Sequence, residues 1–61
     1  MKNYIELPIG NNKTLFVFKH HIVGVETNSN GGCTVYINHT AYSKGIELED
    51  FTVQEILDFM A

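Results

Sequence analysis

The stretch Ile22-Val23-Gly24-Val25-Glu26-Thr27-Asn28-Ser29-Asn30-Gly31-Gly32-Cys33-Thr34-Val35-Tyr36-Ile37-Asn38 decides the fold class of this chain. Two runs rich in β-branched and aromatic residues flank a segment built only of Asn, Ser and Gly. Asparagine and glycine tolerate positive φ, and Asn-Gly is the preferred dipeptide where a hairpin turn demands it. Both runs follow the two-residue period of a strand, whose successive side chains face opposite ways. We therefore expect strands over 22–27 and 33–38. Val23 and Val25 should oppose Ile22 and Gly24 in the first, and Cys33, Val35 and Ile37 should oppose Thr34, Tyr36 and Asn38 in the second.

Upstream, Ile5, Leu7 and Ile9 alternate with Tyr4 and Glu6, which predicts a strand over 3–8. Gly10-Asn11-Asn12-Lys13 is a dense turn signal, and 14–18 is a second β-branched and aromatic run, so the pair reads as a hairpin. Leu15 and Val17 share one face of this second strand while Phe16 and Phe18 share the other, making both faces apolar. One face should meet the core and the other a partner or the helix. Lys19-His20-His21 interrupts the alternation before Ile22.

Downstream, Asn38-His39-Thr40-Ala41 turns the chain toward a weaker fifth strand over 42–48, in which Gly45 is expected to mark a bulge. Thr52-Val53-Gln54-Glu55 is a capping box, the threonine hydroxyl accepting from the Glu55 amide and the Glu55 carboxylate from the Thr52 amide. Phe51 and Ile56 occupy the two positions of a hydrophobic staple. Val53, Ile56, Leu57 and Met60 form one apolar stripe, predicting a helix over 52–60 that is too short to survive unless it lies on the sheet. The expected fold is α+β: a small antiparallel β-meander or partly open barrel of four to five strands with one C-terminal α-helix.

A chain of 61 residues has room for a single domain, 1–61. Such a domain buries only ~60% of the surface its unfolded chain exposes, so its margin of stability is thin unless a disulfide, a metal or a partner subunit contributes. The lone cysteine, Cys33, has no internal disulfide partner. With no charged-then-apolar leader over 1–10, the chain reads as cytoplasmic, and no apolar run approaches the ~18 residues of a membrane span.

The net charge of −3 conceals a segregation along the chain. Lys2, Lys13, Lys19 and Lys44 all precede Gly45, whereas Glu47, Glu49, Asp50, Glu55 and Asp58 follow it with no base among them. An acidic C-terminal surface repels phosphate, which argues against nucleic acid as a partner there.

Chemistry-bearing residues are few. Adjacent residues on a strand point to opposite faces, so His20 and His21 would share an ion only within a loop, and His39 adds no recognised zinc spacing. No metal or cofactor is expected. Cys33, opening an apolar strand, reads as a small buried hydrophobe in preference to a nucleophile. Glu47 and Glu49 alternate onto one face beside Asp50, the pattern of a solvated, edge-protecting acidic surface. Gly31-Gly32 precedes a strand and not a helix, so it forms no phosphate-binding loop. The sequons at Asn12 and Asn38 carry no weight in a chain read as unexported.

The rings Tyr4, Phe16, Phe18, Tyr36 and Tyr42 remain. Lys13 and Lys19 flank Phe16 and Phe18, the setting in which sheet aromatics stack bases, but in so short a chain two apolar faces on one strand imply a second layer.

Ile22-Val23-Gly24-Val25-Glu26, the polar turn, the strand over 34–37 and the acidic residues leading into Val53-Gln54-Glu55-Ile56 together resemble the small flagellar FlbD-type proteins and similar short β-rich proteins of bacteria and phages, over about residues 7–57. The resemblance implies a meander plus helix, a non-enzymatic accessory role and no catalytic residue.

The functional expectation is a homo-oligomeric protein-interaction module, not an enzyme, of the phage or mobile-element accessory kind that binds a host or viral protein. Its candidate contact residues are Phe16, Phe18, Lys19, His20, His21, Tyr36, Glu47, Glu49 and Asp50. The alternatives are a nucleic-acid-binding regulator using Lys13, Lys19 and the rings, and an oligomer interface holding a small anion near Lys19, His20 and His21.

Overall fold

A computed structural model describes residues 3–61; Met1 and Lys2, the latter with its charge, lie outside the described residues. The chain forms β1 (Tyr4–Gly10), β2 (Lys13–Phe18), β3 (Ile22–Thr27), β4 (Cys33–Ile37), β5 (Ile46–Leu48) and α1 (Val53–Met60). Single 3-10 turns at Lys19–His21 and Thr40–Tyr42 join the elements. Strands β1 and β2 make one antiparallel sheet, and β3-β4-β5 make a second as a meander. This is the expected α+β architecture of five strands and one C-terminal helix, the strands lying in two antiparallel sheets that do not close into a barrel.

Asn11 and Asn12 take φ of 53° and 59° between β1 and β2. Two successive residues at positive φ are what a type I′ turn requires, and its twist matches that of the strands it joins. The Lys19 amide donates to the Asn3 carbonyl at 2.8 Å. That bond sets the phase of the β1–β2 ladder: Ile5–Val17 and Leu7–Leu15 are hydrogen-bonded pairs, and Tyr4–Phe18, Glu6–Phe16 and Pro8–Thr14 are not. Pro8 therefore costs the ladder nothing, and β1 continues past it to Gly10, two residues beyond the expected end.

The β3–β4 connection is closed by side chains as well as backbone. Asn30 Oδ1 accepts from the Gly32 amide at 3.0 Å, and Asn28 Oδ1 accepts from the Thr34 hydroxyl at 2.9 Å. Strand β3 departs from the expected alternation. Ile22 pairs with Ile37 but Gly24 pairs with Tyr36, so Val23 is an extra, bulged residue. The bulge puts Ile22 and Val25 on the same, core-facing side and leaves Val23 69% exposed.

The fifth strand is shorter than the expected 42–48. Tyr42 ends a 3-10 turn in which the Tyr42 amide donates to the His39 carbonyl, and the ladder starts only at Ile46. Gly45 marks no bulge. It holds φ at 89°, and a Cβ there would lie 2.6 Å from Thr34 Cγ2 and 3.0 Å from the Tyr36 ring. Extending the β4–β5 register by one residue places Gly45 opposite Tyr36, with Gly24 on the other side. The ring of Tyr36 therefore lies between two positions that lack side chains.

Ile5, Leu7 and Val17 from one sheet meet Cys33, Val35, Ile46 and Leu48 from the other, and Ile56 of α1 completes the core. Both bonds of the capping box are present: Glu55 N–H to Thr52 Oγ1 at 3.2 Å, and Thr52 N–H to Glu55 Oε1 at 3.1 Å. Within the helical stripe only Ile56 is fully buried, whereas Val53 and Met60 are half-buried and Leu57 is 47% exposed. The helix packs against β3, so it does not cover the outer face of β2. No helix among the described residues is long and apolar enough to cross a membrane.

Candidate interaction surface

Strand period alone puts Phe16 and Phe18 on the side of β2 opposite Val17, which is buried. Because α1 lies elsewhere, they stay 56% and 47% exposed, beside a groove that β2 shares with His21, Ile37, Asn38 and His39. Across the ladder, Tyr4 sits between them, its ring centroid 5.6 Å from that of Phe16 and 6.2 Å from that of Phe18. The 3-10 turn carries the ring cluster onward: Phe18 lies 6.3 Å from His20 and 6.4 Å from His21, and the two imidazoles meet edge to face at 4.4 Å. Offset and edge-on arrangements of this kind are the favourable ones for rings. The result is one continuous aromatic surface, with Glu6 on the same face and Lys19 at its margin.

Lys19 also lines a cleft of about 420 Å³ with Tyr4, Glu6, Asp58 and Phe59. Among the described residues, the carboxylates of Glu6 and Asp58 line this cleft beside the ammonium of Lys19. The other sheet holds a separate polar group. Tyr36 donates its hydroxyl to Glu26 Oε1 at 2.9 Å. That hydrogen bond raises the phenol above its ordinary value, with lesser contributions from desolvation and from the charges of Glu26 and Glu47.

The expected contact residues thus divide. Phe16, Phe18, Lys19, His20 and His21 come together on and beside the β1–β2 face. Tyr36 and Glu47 belong to the second sheet, and Glu49 and Asp50 to the exposed segment leading into α1. His39 is occupied otherwise: its Nδ1 accepts from the Ala41 amide at 3.1 Å and caps the second 3-10 turn.

Among the described residues, no three or more His, Cys, Asp or Glu side chains converge as a metal ion requires. Cys33 is fully buried, and its thiol is raised by that burial first and by the Glu55 charge second, so the reactive thiolate is disfavoured. Every buried side-chain nitrogen and oxygen among the described residues has a partner, leaving no orphaned polar atom to mark a hidden ligand.

No protein family, curated protein or solved structure matches this chain.

Two exposed apolar features escaped sequence reasoning. Phe59 falls outside the helical stripe; it packs edge-on to Phe51 at 6.1 Å and remains 47% exposed. Val23 and Leu57 border a small apolar groove of about 280 Å³ between β3 and α1. The position of Phe59 off the stripe was a readable signal. The exposure of Val23 was not, because it follows from a bulge that alternation does not encode.

Proposed function

We propose that this chain is a non-enzymatic protein-interaction module that acts as a homo-oligomer through the outer face of β1 and β2. The observation that carries the reading is the exposure of Phe16 and Phe18, at 56% and 47%, within a connected group of rings. Aromatic residues are enriched at protein interfaces, and an apolar patch rimmed by polar residues marks a contact site more often than a bare surface. A host protein as further partner, and an accessory role of the kind the FlbD-type resemblance implies, belong to the same proposal.

Light scattering over a dilution series tests it. The expected mass exceeds the 6.9 kDa of one chain and falls on dilution. Replacing both Phe16 and Phe18 by serine should leave the circular dichroism of the fold unchanged and hold the mass at one chain. A monomer throughout the micromolar range would end the proposal.

Lys13 and Lys19 favour a second reading, in which single-stranded nucleic acid stacks on the same rings. Such binding weakens steeply with added salt. An unchanged mobility of mixed DNA and RNA at low salt would dispose of it.

A further inference from the structure

Strand β2 has a second resource besides its rings. The ladder phase turns the main-chain groups of Leu15 and Val17 toward β1 and those of Thr14, Phe16 and Phe18 away from it. Among the described residues no strand pairs with that outer side of β2. The side chains of the same three residues are exposed on the outer face. A row of outward N–H and C=O groups beside exposed rings accepts one kind of occupant, another extended chain.

We propose that the occupant is β2 of a second copy, antiparallel about a two-fold axis at Phe16, merging the two hairpins into one four-stranded sheet. This rests on the homo-oligomer reading above and puts the contact at the edge of β2, with the outer-face rings of the two copies aligned along the junction. The pattern is self-complementary, as a two-fold interface must be. With Phe16 opposite its own mate, Thr14 falls opposite Phe18 of the second copy, so the outward backbone groups of both strands pair. The exposed rings then face one another across the junction, where aromatic cross-strand pairs are favourable.

Among the described residues the outer edge of β2 is open, and pairing with its own mate closes that edge on both copies at once.

The arrangement also brings Lys13 toward Lys19 of the second copy at the strand ends.

Amide exchange on the unmodified protein is the direct test. At concentrations where the chain is dimeric, the amides of Thr14, Phe16 and Phe18 should exchange at least about tenfold more slowly than after dilution to monomer. Phe16→Cys supplies a second measurement. Hydrogen-bonded antiparallel partners have Cα atoms ~5.5 Å apart, so a short bis-maleimide reagent bridging the two thiols should cross-link two chains. Val23→Cys, exposed on β3, should not cross-link, and Cys33 is buried away from the reaction. A dimer whose three outward amides stay unprotected and whose Phe16→Cys chains stay separate overturns the strand pairing while sparing the homo-oligomer. A monomer at every concentration overturns both.

Discussion

At the scale of single residues, Tyr36 best shows how a local sequence choice is completed by its neighbours. Its ring needs room, and Gly24 and Gly45 provide it on the two flanking strands. Its hydroxyl needs an acceptor, and Glu26 provides that at 2.9 Å. A raised phenol pKa in the fold has a definite sign: the contribution is fully present below the ordinary value of 10.0 and is lost as pH rises through the raised one. Cys33 behaves alike from its ordinary value of 9.0, since burial disfavours its thiolate. The chain should therefore lose stability in alkali. In Glu26→Gln, phenolate absorbance from Tyr36 should develop at lower pH than in the parent, because the carboxylate that raised the phenol is gone. A phenolate titration unchanged by Glu26→Gln would show that the carboxylate does not govern this group. None of this coupling was legible in advance. Tyr36 was readable as one ring among five, whereas its partner and its two glycines are assigned by strand register.

At the scale of elements, α1 was the most legible part of the chain. Its cap is a short-range chemical signal, with donor and acceptor three residues apart, and needs no tertiary contact to be read. Thr52→Ala should cost about 1 kcal/mol, measured as a shift of the urea midpoint, while Thr52→Ser should restore nearly all of it. Equal loss in both variants would mean that the threonine methyl, and not its hydroxyl, matters. The turns between strands were equally plain, for asparagine and glycine at positive φ are local demands. Strand β3 was read at its correct bounds but with the wrong faces. One bulged residue reverses the side to which every preceding side chain points, so Ile22 goes inward and Val23 outward. The fifth strand was overextended because 42–45 contain nothing that forbids a strand. His39 caps a 3-10 turn there instead, and the chain enters the ladder late.

For the whole molecule, the governing quantity is size. At ~0.05–0.15 kcal/mol per residue, a chain of 61 residues commands about 3–9 kcal/mol of stability. Ile56 is the one helical side chain fully sealed in the core, so Ile56→Ala should cost roughly 2–5 kcal/mol and leave the fold largely melted at 37 °C. Thermal unfolding followed by circular dichroism checks this, and a melting point within a few degrees of the parent would mean that α1 is dispensable to the core. If the chain associates as proposed, the melting temperature of the parent should also climb with protein concentration.

Sequence by itself determined the class of each element, the hairpin turns, the helix cap and the two-sided apolar character of β2. These follow from backbone preference and side-chain period, which act over a few residues. Only the tertiary structure decided that α1 packs on β3 and leaves Phe16 and Phe18 uncovered, that Tyr4, His20 and His21 join them, and that Tyr36 stands apart on the other sheet. Those outcomes depend on register, on one bulge and on how two sheets meet, and no short window of sequence contains them.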